Sequence, residues 1–177
     1  MKAALTVLVA LAASPAAAHT GVDHVHSFTS GLTHPLFGAD HLLAMVLVGL
    51  WAALAGGSRR WIWPLAFVGA MVAGGALGVA GAGFPAVERA IAGSVIVFGL
   101  AVAGAVRPPV ALGAALIGLL GLAHGHAHGA EAAGVSYGAY AAGFVLATAL
   151  LHGAGLGGAR IISARMTRIA GALATLA

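Results

Sequence analysis

Residues 109–131 read PVALGAALIGLLGLAHGHAHGAE, an apolar run that ends in three histidines and one glutamate. The part from 109 to 127 is long enough to cross a bilayer as a helix, since a span needs ~20 predominantly apolar residues. Imidazole and carboxylate groups at the end of such a run are ligands suited to divalent transition metals. This stretch therefore predicts a membrane helix that carries metal-binding side chains at one end.

The composition of the whole chain extends this prediction. Of 177 residues, 61% are hydrophobic and 7% are charged, and the mean hydropathy is +1.04. A soluble fold of this length could not bury so many apolar side chains. The 28 glycines fit a compact membrane bundle, because small residues let neighbouring helices approach closely. We predict an all-α fold, a polytopic transmembrane helix bundle.

Two absences limit the chemistry. Lys2 is the one lysine in the sequence, so a phosphate-binding loop of the GxxxxGK[ST] type is excluded and direct ATP-driven pumping is not expected. The chain has no cysteine, which leaves imidazole, carboxylate, thioether and backbone oxygen as metal ligands. The eight lysines and arginines lie beside apolar segments, where they indicate topology rather than a nucleic-acid partner.

The first 18 residues have the pattern of a signal peptide. Lys2 precedes the apolar run from Ala3 to Ala13, and Ala16-Ala17-Ala18 follows as an A-x-A cleavage site. We expect the mature chain to begin at His19 and to form a single transmembrane helical domain over 19–177. The alternative is an uncleaved anchor helix, although the run is shorter than a span requires.

Five apolar segments follow a polar stretch at 19–38, and each is long enough to cross a hydrocarbon core. They lie at 40–56, 61–82, 86–106, 109–127 and 134–158. Residues 160–177 leave room for only a partial sixth helix. The sequence therefore predicts five spans, with a partial sixth left open.

The arginines predict the orientation in the membrane. Six of them follow the first, third and fifth segments and so lie on one side of the membrane: Arg59, Arg60, Arg107, Arg160, Arg165 and Arg168. Arg89 alone lies on the other side. The positive-inside rule then places the mature N-terminus in the periplasm and the C-terminus in the cytoplasm of a bacterial inner-membrane protein.

The segment from His34 to His41 is a candidate metal site at the start of the first span. If the chain is helical after Pro35, His34 and His41 share a face, and Met45 adds a thioether one turn further on. Asp40 then points ~100° away, so it could be a ligand only if Gly38 breaks the helix. Otherwise it would support a ligand or act as an entry charge; the whole segment could also be a hydrated helix cap with incidental histidines.

A second candidate site comprises His124, His126, His128 and Glu131. In a helix, His124, His128 and Glu131 would form one stripe and His126 would face away. In a loop, which the glycines also permit, all three histidines could converge. The alternative function is a solvated histidine-rich loop that scavenges metal without transporting it.

Two further histidines are candidate metal ligands. His152 lies inside the fifth apolar segment, where a histidine normally faces the bundle interior and marks a pathway; it could instead tie helices together by bonding a backbone carbonyl. His19, as the expected new terminus, could chelate a metal with its amine and its imidazole. The tail that it begins could equally be a polar segment without a metal.

The His34 to Met45 segment, the His124 to Glu131 segment and the Ala147 to His152 segment together resemble the HupE/UreJ family, over nearly the whole mature chain. The resemblance implies a helical membrane fold and nickel uptake for hydrogenase or urease maturation. It also implies that His34, Asp40 and His41 lie on the nickel route, with His124 to Glu131 as a second station.

The expected function is a secondary, non-ATP permease that imports Ni²⁺, with the ion as substrate and no catalytic cofactor. Nickel rests on the resemblance, and Co²⁺ or Zn²⁺ stays open because spacing does not select among them. The expected partners are membrane lipid, the metal ion and, indirectly, nickel-enzyme maturation proteins. We do not expect an enzyme, but a membrane metalloenzyme and a metal-binding sensor or storage protein are the alternatives.

Overall fold

The computed structural model describes the backbone of residues 27–132 and 137–174, and side chains as far as residue 161. The predicted signal peptide and His19 lie outside the described residues. Within them the chain is helical, with turns and short connections. The helices are α1 (Phe28–Phe37), α2 (Ala39–Ala55), α3 (Arg59–Val79), α4 (Val87–Ala103), α5 (Val110–Glu131) and α6 (Tyr137–Ala174).

Several of these helices have the length and composition of membrane spans. Three meet both conditions individually, namely α3, α5 and the part of α6 from Tyr137 to Ile161. Helices α1 and α2 meet them as a pair that is bent by 85°. At 17 residues, α4 is shorter than the ~20 that a span typically needs. The protein is therefore a helical membrane protein, and its described residues contain three spans by this measure, or four if the bent pair is counted.

Two predicted boundaries were wrong. Helix α1 lies in the stretch that we assigned to the polar tail, and its start is stabilised by a reciprocal cap between Ser27 and Ser30. Hydroxyl groups at this spacing satisfy backbone N–H groups that a helix start leaves unpaired. At the other end, residues 160–174 continue α6 and do not form a separate partial sixth helix.

The break between α1 and α2 is at Gly38, whose backbone is extended. The alternative in which Gly38 breaks the helix therefore applies, and His34 and His41, which an unbroken helix would place on one face, belong to different helices. Pro35 has no N–H to donate to the preceding turn, and a Cβ at Gly38 would come within 3.2 Å of both Asp40 Oδ1 and His41 Nδ1. Glycine at 38 thus lets the chain turn sharply beside the Asp40 carboxylate.

Glycines set the separation of α3 and α5, which make the most extensive helix contact in the described chain. A Cβ on any of five glycines would overlap backbone atoms of the facing helix; these are Gly74, Gly78, Gly121, Gly125 and Gly129. The backbones therefore touch directly, as small residues allow in membrane bundles. This contact fixes the height of α5 against α3, and with it the height of the α5 histidines.

The end of the bundle where α3 begins carries the described arginines other than Arg89. The Arg59 side chain donates to the Pro108 carbonyl, while Arg60, Arg107 and Arg160 line an open cavity of about 830 Å³. The buried Trp51 indole donates to the Val106 carbonyl at 2.7 Å. The described arginines from the first and third connections and from α6 thus lie at the same end, as the sequence predicted.

We expect Gly74→Ala to destabilise the protein, because the added methyl would overlap the Leu122 carbonyl oxygen. Overpacking of this kind costs ~1–3 kcal/mol and should lower the midpoint of thermal unfolding in detergent. Gly69→Ala is the matched control in the same helix, since a Cβ there meets nothing within 4 Å. Equal midpoints for the two variants would contradict the close α3–α5 contact.

Candidate metal site

Three histidines from three helices meet inside the bundle. His34 of α1, His41 of α2 and His128 of α5 each offer one ring nitrogen, and these atoms lie within 4.8 Å of one another. His41 Nε2 and His128 Nε2 are 2.8 Å apart, and both side chains are buried. We call these three residues the histidine cluster. Neutral imidazoles in this arrangement can bind a borderline divalent ion such as Ni²⁺, Co²⁺, Cu²⁺ or Zn²⁺.

The bend at Gly38 creates this cluster. It turns α1 across the start of α2, so that the His34 ring packs edge-on against His41 and His128, with centroid distances of 5.8 and 4.6 Å. Phe144 of α6 closes the inner side, its ring centroid 4.4 Å from that of His128. Residues from four helices therefore surround the cluster.

Carboxylates stand behind two of the imidazoles. Asp40 Oδ1 lies 2.8 Å from His41 Nδ1, and Glu131 Oε2 lies 3.6 Å from His128 Nδ1. Metal-binding histidines commonly donate their second ring N–H to a carboxylate, which fixes the tautomer and raises the basicity of the ligating nitrogen. If the proton is on Nδ1 in both rings, the two Nε2 lone pairs point towards each other and can bind a cation. The helix does break at Gly38, and the Asp40 carboxylate lies against the outer nitrogen of His41.

His124 lies one turn from His128 on α5 and is fully buried, its ring centroid 4.9 Å from that of His41. Its Nε2 is 3.0 Å from Ser94 Oγ, and that hydroxyl donates its proton to the Ile91 carbonyl at 2.7 Å. Ser94 must therefore accept from His124 Nε2–H. The tautomer leaves a lone pair on His124 Nδ1, which has no hydrogen-bond partner among the described residues.

His126 does not join the cluster. The 124–131 segment is helical, so the helical alternative applies and His126 faces away from His124 and His128. Its Nε2 lies 2.5 Å from the Ala82 carbonyl oxygen, and its ring packs against Phe84 at 5.4 Å. The structure gives His126 a role in holding the α3–α4 connection against α5.

His152 is buried in α6 below the cluster, and its ring packs edge-on against Phe67 at 5.3 Å. Neither ring nitrogen has a hydrogen-bond partner among the described residues. The alternative in which His152 ties helices together through a backbone carbonyl is therefore wrong. An imidazole buried in this way costs free energy unless something binds it.

Three residues near the histidines were not identified from the sequence. Ser94 orients His124, Phe144 packs against the cluster, and the Tyr140 hydroxyl lies 3.5 Å from His128 Nδ1. A polar side chain within an apolar run was the available signal for Ser94 and Tyr140. Phe144 carries no such signal, because aromatic residues are common in apolar helices.

The fold and the site define a class: a helical membrane protein with a largely buried histidine cluster that has carboxylates beside two of its imidazoles. The sequence pattern of the HupE / UreJ protein family matches residues 7–177, and the chain belongs to this family, which confirms the resemblance. Protein HupE of Rhizobium leguminosarum bv. viciae is 42% identical over 179 residues, covering 98% of this chain and 94% of the relative. No solved structure matches the chain.

We expect His128→Ala to weaken Ni²⁺ binding by purified protein at least as much as Asp40→Asn, since it removes a ligand and not a group behind one. Losing a carboxylate behind a ligating histidine typically costs roughly 10- to 100-fold in metal affinity. His126→Ala, two residues along the same helix, should leave the affinity unchanged. The measurement is equilibrium dialysis of detergent-purified protein with Ni²⁺. A similar loss in both histidine variants would place the binding site elsewhere.

Proposed function

We propose that this protein is a secondary permease that imports Ni²⁺ across the bacterial inner membrane. The observation that carries the proposal is the histidine cluster, in which the half-buried His34 and the buried His41 and His128 offer ring nitrogens within 4.8 Å of one another inside a bundle of apolar helices. Buried ionisable groups are costly in a membrane protein and mark ion pathways. The family that the sequence resembles is associated with nickel uptake, which is the reason for choosing nickel over Co²⁺ or Zn²⁺.

The histidines form a descending series through the bundle, which supports transport over simple binding. His128 and His41 lie uppermost, His124 is one turn below His128 on α5, and Phe67 packs against both His124 and His152. Gly153, next to His152, lines the arginine-bordered cavity at the opposite end. Several moderate sites in series allow an ion to enter and leave, whereas one tight site would trap it.

A small cavity adjoins one histidine of the cluster. It lies beside His128, Tyr137 and Phe144 and has a volume of about 30 Å³, enough for a water molecule or an ion. A metalloenzyme would need room for a substrate next to the metal. In the function proposed here the metal ion is the substrate and not a catalytic cofactor.

The proposed topology has five crossings after a cleaved signal peptide at 1–18, with 19–177 as one transmembrane domain. Helix α4 would complete the set as a short span, accommodated by local thinning of the bilayer. The cluster end would face the periplasm, together with the mature N-terminus and His19. The arginine end and the C-terminus would face the cytoplasm, as the positive-inside rule requires. There the ion would reach, indirectly, the maturation proteins of hydrogenase or urease.

The first test is nickel entry into proteoliposomes that contain a metal-sensitive dye. We expect saturable entry with the native chain and at least a tenfold lower rate with His41→Ala or Asp40→Asn, because one change removes a cluster nitrogen and the other removes the carboxylate behind it. His126→Ala is the control, since its ring contacts Ala82 and Phe84 and not the cluster.

Nickel binding without entry in the native chain would overturn the permease proposal. A sensor or storage protein would then account for the cluster. Entry that persists in both cluster variants would retain a permease but move the route away from the histidine cluster.

A further inference from the structure

Two sulfur atoms and a hydroxyl meet at the centre of the bundle. Thr148 Oγ1 of α6 lies 3.4 Å from Met45 Sδ of α2 and 3.7 Å from Met71 Sδ of α3. All three side chains are buried, with exposed fractions of 0%, 0% and 3% for Thr148, Met45 and Met71. Two sulfurs from two helices thus lie within 3.7 Å of one hydroxyl oxygen from a third helix.

The hydroxyl proton of Thr148 is engaged elsewhere. Thr148 Oγ1 donates to the Phe144 carbonyl oxygen at 2.9 Å, which is a much better acceptor than a thioether. A hydroxyl has one proton, so its oxygen lone pairs and those of the two sulfurs remain to bind a cation.

This group lies between the histidine cluster and His152. Met45 is one turn beyond His41 on α2, and Thr148 is one turn before His152 on α6. Phe144, one turn before Thr148, packs against His128. An ion that leaves the cluster along the axis of the bundle therefore reaches the two sulfurs before it reaches His152.

Met71 lies at the same level on the opposite wall. It is one turn beyond Phe67 on α3, and the Phe67 ring contacts both His124 and His152. The packing of Gly125 against the Met71 backbone fixes this height. Both walls of the route thus carry a thioether at the step between the upper and lower imidazoles.

We propose that Met45, Met71 and Thr148 form a thioether station, a second and weaker metal site through which the ion passes. Thioethers bind soft and borderline late transition ions and bind hard oxygen-seeking ions such as Mg²⁺, Ca²⁺ and Mn²⁺ poorly. The station therefore selects for late transition ions. Its neutral donors hold a divalent ion loosely enough for release. This inference rests on the proposed function and adds a selectivity step to it.

The test compares the native chain with the double variant Met45→Leu/Met71→Leu, which removes both sulfurs at nearly constant volume. Ni²⁺ entry into proteoliposomes should fall at least fivefold, while equilibrium Ni²⁺ binding at the cluster is unchanged. Ag⁺, a soft ion, should bind to the native protein with one more equivalent than to the variant. Ile117→Val, a buried change without a donor atom, should leave all three measurements unchanged.

Unchanged entry and unchanged Ag⁺ stoichiometry in the double variant would overturn the station. If the native chain imports no Ni²⁺, the permease proposal fails by itself, and the Ag⁺ stoichiometry still decides whether the sulfurs form a site. Should the double variant not fold, Thr148→Val against Thr148→Ser gives the same comparison. Serine keeps the donor oxygen and valine removes it, so slower entry in valine alone supports the station, and equal rates overturn it.

Discussion

Two imidazole nitrogens 2.8 Å apart inside an apolar bundle are the constraint on which the rest of this structure depends. Burying polar groups of this kind costs free energy unless hydrogen bonds or a bound ion compensate for the lost contact with water. The surrounding architecture reduces that cost from behind, where Asp40 and Glu131 face the outer nitrogens of His41 and His128. The bend at Gly38 is needed for this arrangement. In a straight helix, His34 would lie outside the cluster and the Asp40 side chain would point away from His41.

The close contact of α3 and α5 also helps to hold these imidazoles in place, because it positions α5. Because glycines of each helix contact the backbone of the other, α5 cannot slide or rotate along α3 without steric overlap. The α5 histidines are thereby held at fixed heights, with His128 at the cluster and His124 one turn below, against Ser94. On the opposite side, α6 lies against α1 and α2 and contributes Tyr140, Phe144, Thr148 and His152 in successive turns.

The local sequence pattern was sufficient to predict features within single helices, but it was insufficient to predict contacts between helices. Apolar length predicted α2 to α6, and helical periodicity separated His126 from His124 and His128, because both properties depend on neighbours in sequence. The bend at Gly38 could not be predicted in this way. His34 and His41 do not share a face of one helix; they come into contact because two helices meet at the bend. Helix α1 was missed because its 10 residues are too few for a span. The His124 partner Ser94 is 30 residues away in sequence, and the relative rotation of two helices depends on packing that no local pattern contains.

Most of the described acidic and basic side chains lie at opposite ends of the bundle. Asp40 and Glu131 lie at the cluster end, whereas Arg60, Arg107 and Arg160 surround the cavity at the other end. Fixed charges of this kind raise the local concentration of cations at the acidic end and change rates of entry, but they cannot set the direction of net flux. In the proposed orientation the membrane potential supplies that direction, at ~2.3 kcal/mol per elementary charge per 100 mV and so ~4.6 kcal/mol for a divalent ion. A driving force of this size would be sufficient for the proposed inward transport without nucleotide hydrolysis, as expected for a chain whose lone lysine precedes the first span.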